Sequence, residues 1–84
     1  MIINTISVHF LGIHRQITGE DTVAVEISGT TSVGDLIGIL NNRYPALELD
    51  EVASIITVNH VKAYPERLLK PDDAVSILPH ISGG

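Results

Sequence analysis

One segment of this 84-residue chain carries its apolar residues at helical spacing: Val33, Leu36, Ile37, Leu40 and Tyr44. Ser32 stands three residues before Asp35, a capping-box-like start, and Pro45 stops the helix after Tyr44. On both sides the pattern changes to period two. A lone amphipathic helix has one apolar stripe to bury, and half-buried strands need a cover for one face. The chain is therefore expected to fold as α+β, a mixed sheet of four to five strands covered by one main helix.

Residues 2–10 alternate, with Ile2, Ile6, Val8 and Phe10 on one face and Asn4 as the exception. Residues 11–21 read as irregular, with Gly12 and the turn-like Gly19-Glu20-Asp21. Val23, Val25 and Ile27 mark a second strand, which suggests a hairpin with a wide loop. Gly34 and Gly38 interrupt the helix and are read as tolerated surface glycines, each costing about 1 kcal/mol relative to Ala. Leu47, Leu49 and Val52 are expected to tuck against the core. Residues 54–59 read as a third strand, His60-Val61 as a turn and Lys62-Ala63-Tyr64 as a short fourth strand. The loop from Pro65 to Pro71 is expected to anchor through Leu68 and Leu69. Asp72-Asp73 then turns into the last strand, Ala74–Leu78, which Pro79 ends because it lacks an N–H. The first and last strands are expected side by side in the centre. That order is the ubiquitin-like β-grasp.

Composition removes several functions. There is no cysteine, which excludes disulfides, thiolate metal sites and a cysteine nucleophile. Ten acids against five bases give a formal charge of −5 and no basic cluster, so nucleic acid is an unsuitable partner. An acidic surface favours a basic docking face. No apolar run reaches membrane-spanning length, and the start of the chain has no signal-peptide pattern, so the expected location is the cytoplasm.

The sequence closes on Pro79-His80-Ile81-Ser82-Gly83-Gly84. Residues 1–79 are expected to form the domain and 80–84 a flexible tail. Two glycines leave the last carbonyl unobstructed and thin enough to enter a partner's channel; from His80 to Gly84 the reach is roughly 16 Å. The Gly84 carboxylate is the expected reactive group: adenylation would make it an electrophile for sulfur or nitrogen.

Several ordered features resemble the MoaD/ThiS sulfur-carrier family, in particular the small subunit of molybdopterin synthase. They are Phe10 followed by Arg15 and Gly19, Ser32-Val33 opening a helix with Leu36 and Leu40, and Val58-Asn59 before a turn. Leu69, Asp72-Asp73, Val75, Pro79 and the Ile81-Ser82-Gly83-Gly84 ending complete the set. His80 stands where many molybdopterin-type members have a second proline, and Pro71-Asp72-Asp73 replaces an Asp-Gly-Asp turn. The resemblance implies a carrier and co-substrate that is not itself an enzyme and binds no cofactor. A partner adenylating enzyme would use MgATP to activate Gly84, and a sulfur donor protein would convert it to a thiocarboxylate. The carrier, a monomer when free, would then thread Gly83-Gly84 into the large subunit of molybdopterin synthase or an equivalent acceptor. Thiamin, tRNA and amino-acid sulfur supply remain open, as does conjugation to protein lysines.

Other residues are assigned by weighing ordinary roles against chemical ones. His9, His14 and His60 read as surface or loop residues, and no metal site is expected. His80 and Ser82 flank the tail and could contact a partner, as could Arg15. Leu78, Ile81 and Leu11 are expected to form an apolar docking patch beside the tail. The competing reading of another class is a β-grasp interaction module whose Gly-Gly end is incidental.

Overall fold

The computed structural model describes residues 4–50 and 54–78. The strands are β1 (Asn4–Phe10), β2 (Thr22–Ile27), β3 (Ile55–Val58), β4 (Val61–Lys62) and β5 (Ala74–Leu78). They form one sheet in the order β2-β1-β5-β3-β4. β1 and β5 run parallel in the centre, with Phe10 opposite Ile77, and the other pairings are antiparallel. The helices are α1 (Ile13–Thr18) and α2 (Val33–Arg43). This is the expected α+β β-grasp, with five strands and one main helix.

Strand alternation decides what is buried. Ile6, Val8 and Phe10 of β1, Val23, Val25 and Ile27 of β2, Ile56 and Val58 of β3, and Val75 and Ile77 of β5 all face inward. They share one core with Val33, Leu36, Ile37 and Leu40 of α2. The cap is a true capping box: Asp35 N–H donates to Ser32 Oγ at 3.1 Å, and Ser32 N–H donates to Asp35 Oδ2 at 3.0 Å. Two more first-turn donors are used by the loop before β5: Val33 N–H reaches Arg67 O and Gly34 N–H reaches Pro65 O, both at 2.8 Å. Gly34 is thus half-buried under that loop, whereas Gly38 is exposed, with open space around it, as expected of a surface glycine. At the other end the Arg43 guanidinium donates to Ala24 O on the outer strand β2. The Asn41 side chain both donates to and accepts from the Leu49 backbone, holding Leu47 and Leu49 in the core. Val52 lies outside the described residues.

Four expectations are corrected. Residues 13–18 form a short helix within the stretch read as irregular. Gly12 precedes it at φ 58 and ψ −129, a conformation suited to glycine. The turn after β3 is Asn59-His60, both with positive φ (54 and 70), rather than His60-Val61. Two successive left-handed residues close a tight hairpin, so β4 is Val61–Lys62, one residue earlier than expected. Leu69 is buried, but Leu68 is 51% exposed and anchors nothing in the core. Its backbone instead bridges to Ser32.

Candidate functional site

β5 delivers the chain to residues 79–84, so its C-terminal end is the site to examine. Gly84, Gly83, Ser82, Ile81 and His80 lie outside the described residues, as does the expected boundary between domain and tail. What precedes them is well defined. Because β1 and β5 are parallel and Phe10 pairs with Ile77, both strands end at the same edge of the sheet. Leu78 follows Ile77 and Leu11 follows Phe10.

Ile77 points into the core, so parity turns Leu78 to the face without α2, where it is half-buried opposite Ile55. Leu11 is 41% exposed. Leu11 thus follows the end of β1 and Leu78 closes the neighbouring β5, paired with Ile55, whereas Ile81, the third residue of the expected patch, lies outside the described residues. α1 adds the exposed side chains of Ile13 and Ile17, one turn apart on the same side. Arg15 is exposed, and its Nη1 lies 3.3 Å from Asp21 Oδ1. Tyr64, two residues beyond Lys62, is exposed, and its ring centroid lies 5.6 Å from the Lys62 ammonium.

The start of β5 is built differently. Asn59 N–H donates to Ala74 O, and Ala74 N–H donates to Asn59 Oδ1. The Asn59 amide also donates to Asp73 Oδ1 at 2.9 Å. Asp73 Oδ2 accepts from Lys70 N–H at 2.8 Å and from the Arg67 guanidinium at 3.1 Å. Burial by itself raises the Asp73 carboxyl, but these donors, led by Lys70 N–H, outweigh it and hold the group below the ordinary carboxylate value. Sequence reading saw Asp73 as a turn residue and Asn59 as half of a motif. The knot joining them, with Arg67 as its third side chain, was missed because its members lie up to fourteen positions apart.

Among the described residues, His9, His14 and His60 do not converge. His9 is exposed on β1 and hydrogen-bonds Thr22 Oγ1 through Nδ1, and His60 sits in the β3–β4 turn at the opposite end of β5. His14 is a correction: it is buried in α1, and its Nδ1 has no hydrogen-bond partner. Among the described residues no group of His, Asp and Glu could hold a metal, and no helix is long and apolar enough to cross a membrane.

Comparison with known proteins places this geometry. The model of the ThiS family matches residues 8–84, a span that includes Gly83 and Gly84. No curated protein matches the chain in sequence. Among solved structures, SAMP1 from Haloferax volcanii superposes with a TM-score of 0.84 at 22% identity, covering 96% of this chain and 100% of that one. A candidate molybdopterin converting factor, subunit 1, from Pyrococcus furiosus gives 0.83 at 24% identity, covering 93% and 99%. A chain of the BexX/CysO complex from Amycolatopsis orientalis gives 0.67 at 24% identity, covering 94% and 99%. At these identities the solved structures establish the fold.

Proposed function

The chain belongs to the ThiS family of ubiquitin-like sulfur carriers, and from that premise we propose that its Gly84 carboxylate carries sulfur for molybdopterin synthesis. The observation that supports this reading is the family match running through Gly83-Gly84, behind a strand that ends beside an exposed apolar surface. A carboxylate oxygen of Gly84 attacks the α-phosphorus of ATP on a partner adenylating enzyme, and pyrophosphate leaves. A persulfide on a donor protein attacks the acyl adenylate, and AMP leaves. A donor thiol then reduces the resulting acyl disulfide, leaving a thiocarboxylate on Gly84 and a disulfide on the donor. The nucleotide and its Mg²⁺ belong to the partner.

This chain supplies position. Leu78, Leu11 and Ile55 are the docking residues nearest the tail, with Arg15 at their margin. His80, Ile81, Ser82 and Gly83 carry Gly84 into the partner's site. Holding the reacting end in place lowers the barrier by orientation, without a general acid or base from the carrier. The acceptor is the large subunit of a molybdopterin synthase, consistent with the similarity to the Pyrococcus furiosus protein.

Intact-mass analysis of the protein isolated from its native host tests the proposal. One oxygen should be exchanged for sulfur, and deletion of Gly83-Gly84 should abolish both the exchange and pterin sulfuration. Adducts of Gly84 on protein lysines, with no thiocarboxylate, would replace the sulfur reading with protein modification. Retention of function by the deletion variant would reduce the chain to an interaction module.

A further inference from the structure

The two outer strands of the sheet are built differently. β4 is two residues long, too short to offer another chain much of a ladder. β2 has six residues, Thr-Val-Ala-Val-Glu-Ile, with no glycine, proline or lysine and four strand-favouring side chains. Its pairing with β1 decides which backbone groups face outward. Phe10 N–H donates to Asp21 O, and the same register aligns Val8 with Val23, Ile6 with Val25 and Asn4 with Ile27. Hydrogen-bonded pairs alternate along an antiparallel ladder, so these pairs carry the β1–β2 bonds. Thr22, Ala24 and Glu26 therefore turn their N–H and C=O groups away from the sheet.

Among the described residues one bond reaches those outward groups. The Arg43 guanidinium, from the last turn of α2, donates to Ala24 O at 3.1 Å. Its central carbon lies 5.4 Å from the centroid of the Tyr44 ring, a stack that restricts the long side chain. An exposed charge laid over the middle of an outer strand hinders pairing with another strand.

The spacing of the outward groups selects the occupant that Arg43 keeps out. Three positions centred on Ala24 are self-complementary about a two-fold axis. An antiparallel second copy sets its Ala24 against this Ala24, and Thr22 against Glu26 at both ends. No like charges meet along the ladder, and the smallest side chain of the strand sits on the axis. Val23 comes opposite Val25 of the second copy, which extends the apolar layer on the α2 side. Both bonds at the axis need Ala24 O as acceptor, the atom that Arg43 takes, and closing them would bring two guanidinium groups together.

We infer that β2 is a self-pairing edge held shut by Arg43, and that removing this side chain joins two copies of the chain through antiparallel β2 strands. Arg43 thereby keeps the chain monomeric, whether or not Gly84 carries sulfur.

Sedimentation velocity over a concentration series tests this with wild type, Arg43→Ala and Arg43→Gln. Arg43 is exposed, and thermal melts check that each variant is folded, so either carries the test if the other melts early. Where wild type is monomeric, Arg43→Ala should be mainly dimer, with a dissociation constant lower by about tenfold or more. Arg43→Gln, which keeps a shorter donor, should fall between the two. In the Arg43→Ala dimer, amide hydrogen exchange should slow at Thr22, Ala24 and Glu26 and stay unchanged at Lys62 on the opposite edge. Adding Thr22→Glu to Arg43→Ala opposes carboxylates at both ends of the ladder and should restore the monomer. Adding Lys70→Met, the same one-unit change of charge in the loop before β5, should leave the dimer intact. Folded Arg43 variants that remain monomeric wherever wild type does overturn the inference, as does a wild type that dimerises as tightly as they do. A dimer that survives Thr22→Glu, dissociates equally with Lys70→Met, or gains its protection at Lys62 overturns it as well.

Discussion

At its N-terminal end β5 starts inside a knot in which Asn59, Asp73, Arg67 and the Lys70 backbone satisfy one another. At its C-terminal end the same strand leaves beside half-buried Leu78, exposed Leu11 and a six-residue helix that buries only His14 and carries an exposed ion pair. The first arrangement suits an anchor, because buried polar groups that are all paired fix one geometry. The second leaves apolar surface uncovered, which costs stability in the free carrier and is recovered when a partner covers it. A carrier needs both: a strand clamped at its start resists the pull of a partner on the tail, and an open end lets the partner in.

The largest test of this contrast is Asp73→Ala. It removes a buried acceptor from three donors, one of them the Asn59 amide that also aligns Ala74. The expected loss is about 2–3 kcal/mol in urea unfolding at neutral pH. The pH dependence follows from the lowered carboxyl. Its contribution is complete above the unfolded-state value of 3.8 and disappears as the pH falls through the still lower folded value. The stability gap between wild type and Asp73→Ala should therefore narrow below about pH 4. A gap under about 1 kcal/mol at neutral pH, or one constant down to pH 2, would remove Asp73 from the anchor.

The two ends also differ in how well the sequence exposes them. The strands and α2 are legible because burial imposes a period on many residues at once: Ile6-Val8-Phe10 and Val75-Ile77 alternate, and Val33 to Leu40 repeats at helical spacing. From β5 parity alone Leu78 is assigned to the open face, where it lies. α1 leaves no such trace. It is less than two turns long, buries His14, and exposes Ile13 and Ile17, the reverse of an amphipathic pattern. The place of β4 depends on two left-handed residues, Asn59 and His60, neither of them a glycine. The anchor is harder still, since hydrogen bonds between Asn59, Arg67 and Asp73 have no period.

Asp72 gives a smaller test of how the anchor is built. It has φ 68 and immediately precedes Asp73. A left-handed conformation is strained for a residue with a Cβ, though least so for Asp and Asn. Asp72→Gly should raise stability by about 0.5 kcal/mol, the relief of strain being partly offset by glycine's greater freedom when unfolded. Chemical denaturation against wild type reads it out. A clear loss would mean that the Asp72 side chain itself supports the knot.

The smallest expected effect belongs to the open end. Arg15 and Asp21 meet at 3.3 Å with side chains 59% and 79% exposed, so water and salt screen the pair. The α1 C-terminal turn does not depend on it, because Gly19 N–H reaches the Arg15 backbone carbonyl at 2.9 Å. Arg15→Ala should change unfolding free energy by less than about 0.5 kcal/mol at physiological salt. The same variant should raise the carrier KM in adenylation if Arg15 lies at the docking margin, since a rim charge affects encounter more than stability. Stability loss above about 1 kcal/mol would show the ion pair to be structural, and the open end would then be an anchor of the same kind as the closed one.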